Sequence, residues 1–290
     1  MRIGIIGGGR VGCCLAEYLQ PKGLLAGITA ASAAHSVELA RRFGTQPFTN
    51  AGLLAAADVV LLTVPDRSVA SVAQALASAG SVQGKTALHC SGSLGLEPLE
   101  ALRLRGAHVG SLHPLQSFAG GATQLAGVYM AVDGDEAAQK TARALADALG
   151  GRSFGVPAAE RAAYHAAACI CSNYAVTVEA LAQSLMSRWI GSGEAAWQAL
   201  LPLFKGTAAN LERAADAGSV LTGPIARGDT VTVQRHLAVL PQDWQSVYRS
   251  LGSAAVKLAL ANGTIDAQTA RTMTELLNEP QRSAKNSLEV

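Results

Sequence analysis

Four groups of residues in this chain have the types and spacing to do chemistry. The first is Gly7-Gly8-Gly9-Arg10-Val11-Gly12, a G-x-G-x-x-G run that comes directly after the apolar Ile3-Gly4-Ile5-Ile6. After a strand and before a helix, Gly7 permits a tight turn, Gly9 lets a pyrophosphate approach the backbone, and Gly12 lets the helix pack close to the strand. The N–H groups at the start of that helix then face an anion. Gly7, Gly8, Gly9, Arg10, Val11 and Gly12 are therefore read as the phosphate-binding corner of a dinucleotide site.

The second group is Ser111-Leu112-His113-Pro114-Leu115-Gln116-Ser117-Phe118, which sets a histidine at a predicted strand end with Pro114 keeping its backbone extended. His113 is a candidate for proton transfer, against the alternative of a structural histidine bonded to a loop carbonyl. The third is a polar stripe on an alanine-lined helix. At about 100° per residue, His165, Cys169, Ser172, Asn173 and Val176 share one face. Such a stripe either meets a ligand or makes a hydrogen-bonded helix contact. The fourth is the Gly- and Pro-punctuated loop Leu221-Thr222-Gly223-Pro224-Ile225-Ala226-Arg227-Gly228-Asp229. There Thr222 can donate to a substrate oxygen, Arg227 can hold a carboxylate, and Asp229 suits a helix N-cap.

The choice of coenzyme turns on a missing acid. NAD-binding domains place a carboxylate about 20 positions beyond the glycines, on the ribose hydroxyls. Here the second strand ends as Ile28-Thr29-Ala30-Ala31-Ser32, with no carboxylate before Glu38. Ser32 can donate to a 2′-phosphate and Arg10 can reach it with a planar fork, so NADP is expected rather than NAD. Two further strand ends, Thr63-Val64-Pro65 and Cys90-Ser91, are expected to line the coenzyme, with strand-terminating turns as the alternative. The run Gly92-Ser93-Leu94-Gly95 is no nucleophile elbow, because Ser91 rather than glycine stands two before Ser93.

These residues need a scaffold, and the pattern supplies one. Strands are predicted at 2–6, 24–30, 58–64, 86–90, 107–112, 128–132 and 152–156, separated by helices such as 36–43, 67–79 and 136–149. That alternation implies an α/β fold, a doubly wound and mostly parallel sheet with ligands at the carboxyl ends of its strands. Beyond Gly150-Gly151 and Pro157 the pattern becomes helical, with segments at 158–190, 194–217, 230–240, 243–261 and 266–277. The expected organisation is a dinucleotide-binding domain over 1–154 and a smaller all-α domain over 155–290, for substrate and dimerisation.

Composition narrows the classes. With 290 residues, 49% of them hydrophobic and 15% charged, and a net charge of +2, the chain reads as two globular domains without the basic stripe nucleic acid requires. No apolar run approaches the ~18 residues of a membrane span, and no secretory signal is read, so a cytoplasmic location is expected. The cysteines Cys13, Cys14, Cys90, Cys169 and Cys171 show no C-x-x-C spacing, so neither a disulfide frame nor a metal site is expected. Trp189, Trp197 and Trp244 are expected in the helical core or in a dimer contact.

The motifs GGGRVG, TVPD, HCSGS, SLHPLQSF, YHAAACICSNY and LTGPIARGD resemble a family of Rossmann-like NADP oxidoreductases with a C-terminal helical domain of unknown function. The resemblance spans nearly the whole chain. More distantly, the layout is similar to ketopantoate reductase, pyrroline-5-carboxylate reductase, prephenate dehydrogenase and the β-hydroxyacid dehydrogenases. It implies hydride transfer between NADPH and a small 2-oxo acid or imine, and a homodimer through the helical domain. Ketopantoate reductases carry a lysine acid, then asparagines four and eight positions later. The matching positions here are His165, Cys169 and Asn173, so two of the three differ. On this resemblance His165 protonates the product oxygen, Asn173, Ser172 and Thr222 orient the substrate, and Arg227 clamps its carboxylate. Two alternatives stand beside it: a non-catalytic NADP-binding sensor, and thiol chemistry at Cys169 or Cys171 with His165.

Overall fold

A computed structural model describes residues 1–120 and 123–278, so the last twelve residues of the predicted helical domain lie outside the described residues. The chain divides into two compact units, Met1–Ala175 and Val176–Val290.

The first unit is built on a seven-stranded sheet of β1 (Ile3–Ile6), β2 (Leu25–Thr29), β3 (Val59–Leu62), β4 (Thr86–His89), β5 (His108–Pro114), β6 (Tyr129–Gly134) and β7 (Arg152–Gly155). Their order is β2-β1-β3-β4-β5-β6-β7. Every pairing is parallel except β5 with β6, where Leu112 faces Val132. All seven predicted strands are present.

The helices of this unit are α1 (Arg10–Leu19), α2 (Ala33–Arg42), α3 (Asn50–Ala56), α4 (Asp66–Ala79), α5 (Glu100–Arg103), α6 (Glu136–Ala148) and α7 (Arg161–Cys169). Central strands read as unbroken apolar runs because helices cover both faces. Val59 and Leu61 of β3 point into one core with Leu15, Leu39 and Leu145, while Val60 and Leu62 point into the other with Leu53, Leu76 and Leu102. The short α3 and α5 were not read from the sequence. A seven-residue helix carries little periodicity, and α3 is held by the Thr49 cap, whose Oγ1 accepts from Gly52 N at 3.1 Å, and by buried Leu53 and Leu54.

The composition changes near residues 151–157, yet the first unit runs on to Ala175. The reason is α7: its first residue, Arg161, is 1% exposed and bonded to Ser91 just after β4 and to Ser111 within β5, which ties the helix to the sheet. The long helix predicted over 158–190 is also interrupted. A π turn at Ile170–Tyr174 separates α7 from α8 (Ala175–Ile190).

In the second unit, α10 (Thr230–Val239), α11 (Gln242–Ala261) and α12 (Ala267–Asn278) share a core of Val233, Leu237, Val256, Ala259, Met273 and Leu277. By contrast, α8 buries no residue and α9 (Gly193–Arg213) buries Ala196 alone. Trp189 is 71% exposed, so it is not part of the core. No helix among the described residues is long and apolar enough to cross a membrane.

Candidate functional site

The glycine corner is interlocked. Gly7 has φ +126°, a left-handed conformation that favours glycine, and a Cβ there would lie 2.7 Å from the backbone of Thr63. A Cβ on Gly12 would lie 2.0 Å from the carbonyl oxygen of Gly7 and 2.6 Å from Thr63 Oγ1. Thr63 closes the lock by donating its hydroxyl to Gly7 O at 2.8 Å. It thereby holds the turn from β3, beside the corner where the strand end was expected to line the coenzyme. Around Gly9 nothing lies within 4 Å of a Cβ position, so the corner stays open where a phosphate would approach. Arg10 and Val11 open α1 at this point, Arg10 being exposed and reaching the Phe118 carbonyl at 3.5 Å.

Ser32 is the N-cap of α2, and its Oγ accepts from His35 N at 3.2 Å, which leaves its own O–H as a donor. A Cβ on Gly8 would meet Leu39 and His35 of the same helix. Val64 packs into the core and Pro65 begins α4. Cys90 joins the core of the opposite face, and burial pushes its thiol up to about 12.

The turn after β4 is organised from within. Ser91 Oγ donates to Asp66 at 2.7 Å and accepts from the backbone N–H of Ser93 and Leu94 at 3.2 and 3.1 Å. That network, rather than a ligand, occupies the Ser91 hydroxyl. His89 is fully buried: its Nδ1 accepts from Ser91 N at 3.2 Å, so Nε2 donates to the Gly95 carbonyl at 2.9 Å. Burial, helped by the nearby Arg161 charge, lowers His89 to about 4, so it stays neutral and braces the loop.

On that braced turn sits Gly92, and against it sit two imidazoles. A Cβ on Gly92 would lie 2.6 Å from His165 Nδ1 and 2.8 Å from His113 Nε2. The two rings are 6.0 Å apart, edge to face. His113 Nδ1 is 2.6 Å from the hydroxyl of Tyr164, and burial, with His165 and Arg161 adding to it, lowers His113 to about 4. Burial also pushes the Tyr164 phenol up to about 12, so both partners are neutral near pH 7. His165 Nδ1 is buried against Gly92 without a hydrogen-bond partner, while Nε2 faces Cys169 Sγ at 3.6 Å. A lone pair on Nδ1 suits that contact better than a buried N–H, which places the proton on Nε2.

Of the stripe predicted along the helix, His165 and Cys169 are in contact. The helix then widens into a π turn, in which successive residues are set less than about 100° apart. Ser172 and Asn173 lie within that turn, with Asn173 exposed. Thr222 and Arg227 belong to the second unit, both exposed, on a loop fixed by Asp229 N donating to Pro224 O at 2.8 Å. Asp229 caps α10 as expected, accepting from Thr232 N at 2.9 Å. No group of three or more metal-ligating side chains exists among the described residues.

Two residues of this neighbourhood escaped the sequence reading, Tyr164 and Arg161. Arg161 donates to Ser91 O at 3.1 Å and to Ser111 Oγ, and its Nε lies 3.9 Å from Asp133 of β6. It fixes the helix turn that carries Tyr164 and His165. The only sequence signal was an arginine opening an apolar helix, which reads as a surface residue.

The crowding at Gly92 gives a direct test. Gly92→Ala is expected to push the imidazoles off the turn and break the His113–Tyr164 bond, at a cost of about 1–3 kcal/mol. Urea unfolding measures the cost, and ultraviolet titration of the tyrosines reads the bond as a fall in the Tyr164 pKa.

Comparison with known proteins places this geometry. Residues 1–114 match the model of a Rossmann-like domain. Residues 128–255 match that of a domain of unknown function, DUF2520. The His113–Tyr164 bond thus links the end of the first to the helix α7 of the second.

Among solved structures, the chain is similar to a "putative NADP oxidoreductase" of Bacteroides fragilis, with 20% identity, a TM-score of 0.69, and 94% of this chain and 98% of that one covered. It is also similar to 1-pyrroline-5-carboxylate reductase of Streptococcus pyogenes, with 17% identity, a TM-score of 0.58, and 95% and 98% covered. A reductive aminase of Aspergillus terreus, solved with NADPH and ethyl levulinate, shows 15% identity, a TM-score of 0.58, and 95% and 92% covered. No curated protein matches the chain. At these identities the likeness establishes the shared fold.

Proposed function

We propose that the protein is an NADP-dependent oxidoreductase that transfers a hydride between NADPH and a small 2-oxo acid or imine. One observation carries the reading: an open, rigid glycine corner after β1 and a cluster of imidazoles at the ends of β4 and β5 lie on the same carboxyl edge of one parallel sheet. Ligands of doubly wound sheets bind along that edge. The N–H groups of α1 would hold the pyrophosphate, while Arg10 and the free O–H of Ser32 would meet a 2′-phosphate. Once bound, the coenzyme supplies the hydride, and the protein supplies position and protons. His113 and His165 carry the protons nearest that edge.

Two proteins of the same fold, the pyrroline-5-carboxylate reductase and the reductive aminase, lend the imine its place in the proposal. We also propose a homodimer through the helical unit. The apolar side chains of α8 and α9, Trp189 and Leu203 at 71% and 70% exposure among them, support a partner surface there.

Titration of the purified protein with NADPH and with NADH, and then NADPH absorbance against 2-oxo acids and cyclic imines, tests the function. Tighter NADPH binding and consumption with at least one substrate are expected. Replacing both His113 and His165 by alanine is expected to lower turnover by about 10²–10⁴-fold with NADPH affinity nearly unchanged. Tight binding without consumption across the panel would instead favour a sensor, and absence of binding would end the proposal.

A further inference from the structure

The proton inventory of the imidazole cluster points further than the oxidoreductase reading on which it rests. Of the groups around His113, only Tyr164 is hydrogen-bonded to it, at 2.6 Å on Nδ1. His113 makes no other hydrogen bond among the described residues. A neutral imidazole has one N–H and one lone pair. In the tautomer in which the phenol donates its one proton to Nδ1, the N–H stands on Nε2, the nitrogen turned toward Gly92. His165, by contrast, has Nδ1 buried and Nε2 engaged with Cys169.

We propose that Tyr164 and His113 form a two-residue proton relay for a carbonyl substrate, with His113 as the catalytic acid and Tyr164 as its proton reserve and positioning partner. In the reducing direction the hydride forms a C–H bond at the carbonyl carbon and the C=O π pair moves to oxygen. That oxygen takes the proton from His113 Nε2 while the Tyr164 O–H proton passes to Nδ1; water then returns a proton to Nε2, and the Nδ1 proton goes back to the phenolate, which restores the starting tautomer. The nicotinamide coenzyme is oxidised and the carbonyl is reduced to an alcohol. The transfer runs downhill, because an alkoxide is far more basic than a phenolate, even one whose parent phenol titrates at about 12.

The charges of the cluster favour the carbonyl over an iminium ion. Reduction of an iminium leaves a neutral amine and needs no acid, and the cation itself calls for a carboxylate. Asp66 Oδ2 accepts from the hydroxyls of Ser91 and Ser93, and Asp133 pairs with Arg161. His113 and Tyr164, both neutral near pH 7, offer a hydrogen bond suited to a neutral oxygen.

The relay is testable without coenzyme. Imidazole nitrogen NMR of the free full-length protein is expected to show His113 in the Nε2–H tautomer, and Tyr164→Phe is expected to abolish that preference with melting temperature little changed. In turnover, Tyr164→Phe is expected to lower kcat for 2-oxo acids by about 10²-fold at unchanged KM. Unchanged His113 signals in Tyr164→Phe, or wild-type kcat, would overturn the relay while leaving NADPH binding and consumption intact. Consumption with cyclic imines alone would overturn the carbonyl assignment. Failure to bind NADPH would overturn the oxidoreductase reading itself, which the binding titration reports separately.

Discussion

Gly12→Ala is expected to abolish NADPH binding and to destabilise the first unit by about 1–3 kcal/mol. The added methyl would sit 2.0 Å from Gly7 O and 2.6 Å from Thr63 Oγ1, so neither neighbour is the free end of a flexible chain. Gly7 cannot retreat easily, because it already holds φ +126° and its own Cβ space is filled by the Thr63 backbone. The clash must be relieved by moving α1 away from β1, which displaces the N–H groups proposed to hold the pyrophosphate. A control separates the two effects. Gly9→Ala meets nothing within 4 Å, so it is expected to leave unfolding unchanged while weakening NADPH binding through its intrusion on the ligand side. Isothermal titration and urea unfolding of both variants check the pair. Wild-type affinity in Gly12→Ala would remove the corner from the coenzyme site.

The difference between those two glycines was legible in the sequence, because the motif is a statement about backbone. So were the seven strands: runs such as Val59–Leu62 admit water on neither face and leave little choice but a covered parallel sheet. Side-chain partnerships were harder. His113 and Tyr164 are 51 residues apart, and their contact depends on how β5 and α7 meet in space, which no local pattern encodes. Thr63 and Ser91 were placed correctly at strand ends, but a strand end says nothing of where a hydroxyl turns. Both turn inward, onto Gly7 O and Asp66. The 100° arithmetic of the polar stripe assumed an unbroken α-helix, and no local pattern announced the π turn at Ile170–Tyr174 in which Ser172 and Asn173 lie.

Arg161 shows how much of the site rests on a residue with no motif. Its guanidinium is buried, donates to Ser91 O and Ser111 Oγ, and faces Asp133 at 3.9 Å, with neither Nε nor Asp133 Oδ2 hydrogen-bonded. Such a pair is costly to desolvate and costlier to break. Arg161→Ala is therefore expected to destabilise the first unit by about 3–5 kcal/mol, since it leaves the Asp133 charge and the Ser111 hydroxyl without their partner. Arg161→Met with Asp133→Asn removes both charges at similar volume and is expected to recover most of that loss. Thermal and urea unfolding of the single and double variants measure the coupling. Recovery of stability need not restore function. The methionine cannot reach Ser91 O and Ser111 with donors, so α7 loses the tether that sets Tyr164 one turn above it against His113. A double variant that folds as tightly as the parent yet shows free rotation of the His113 ring would separate the two roles of Arg161. Its charge pair would then account for stability, and its fork of donors for the placement of the proton relay.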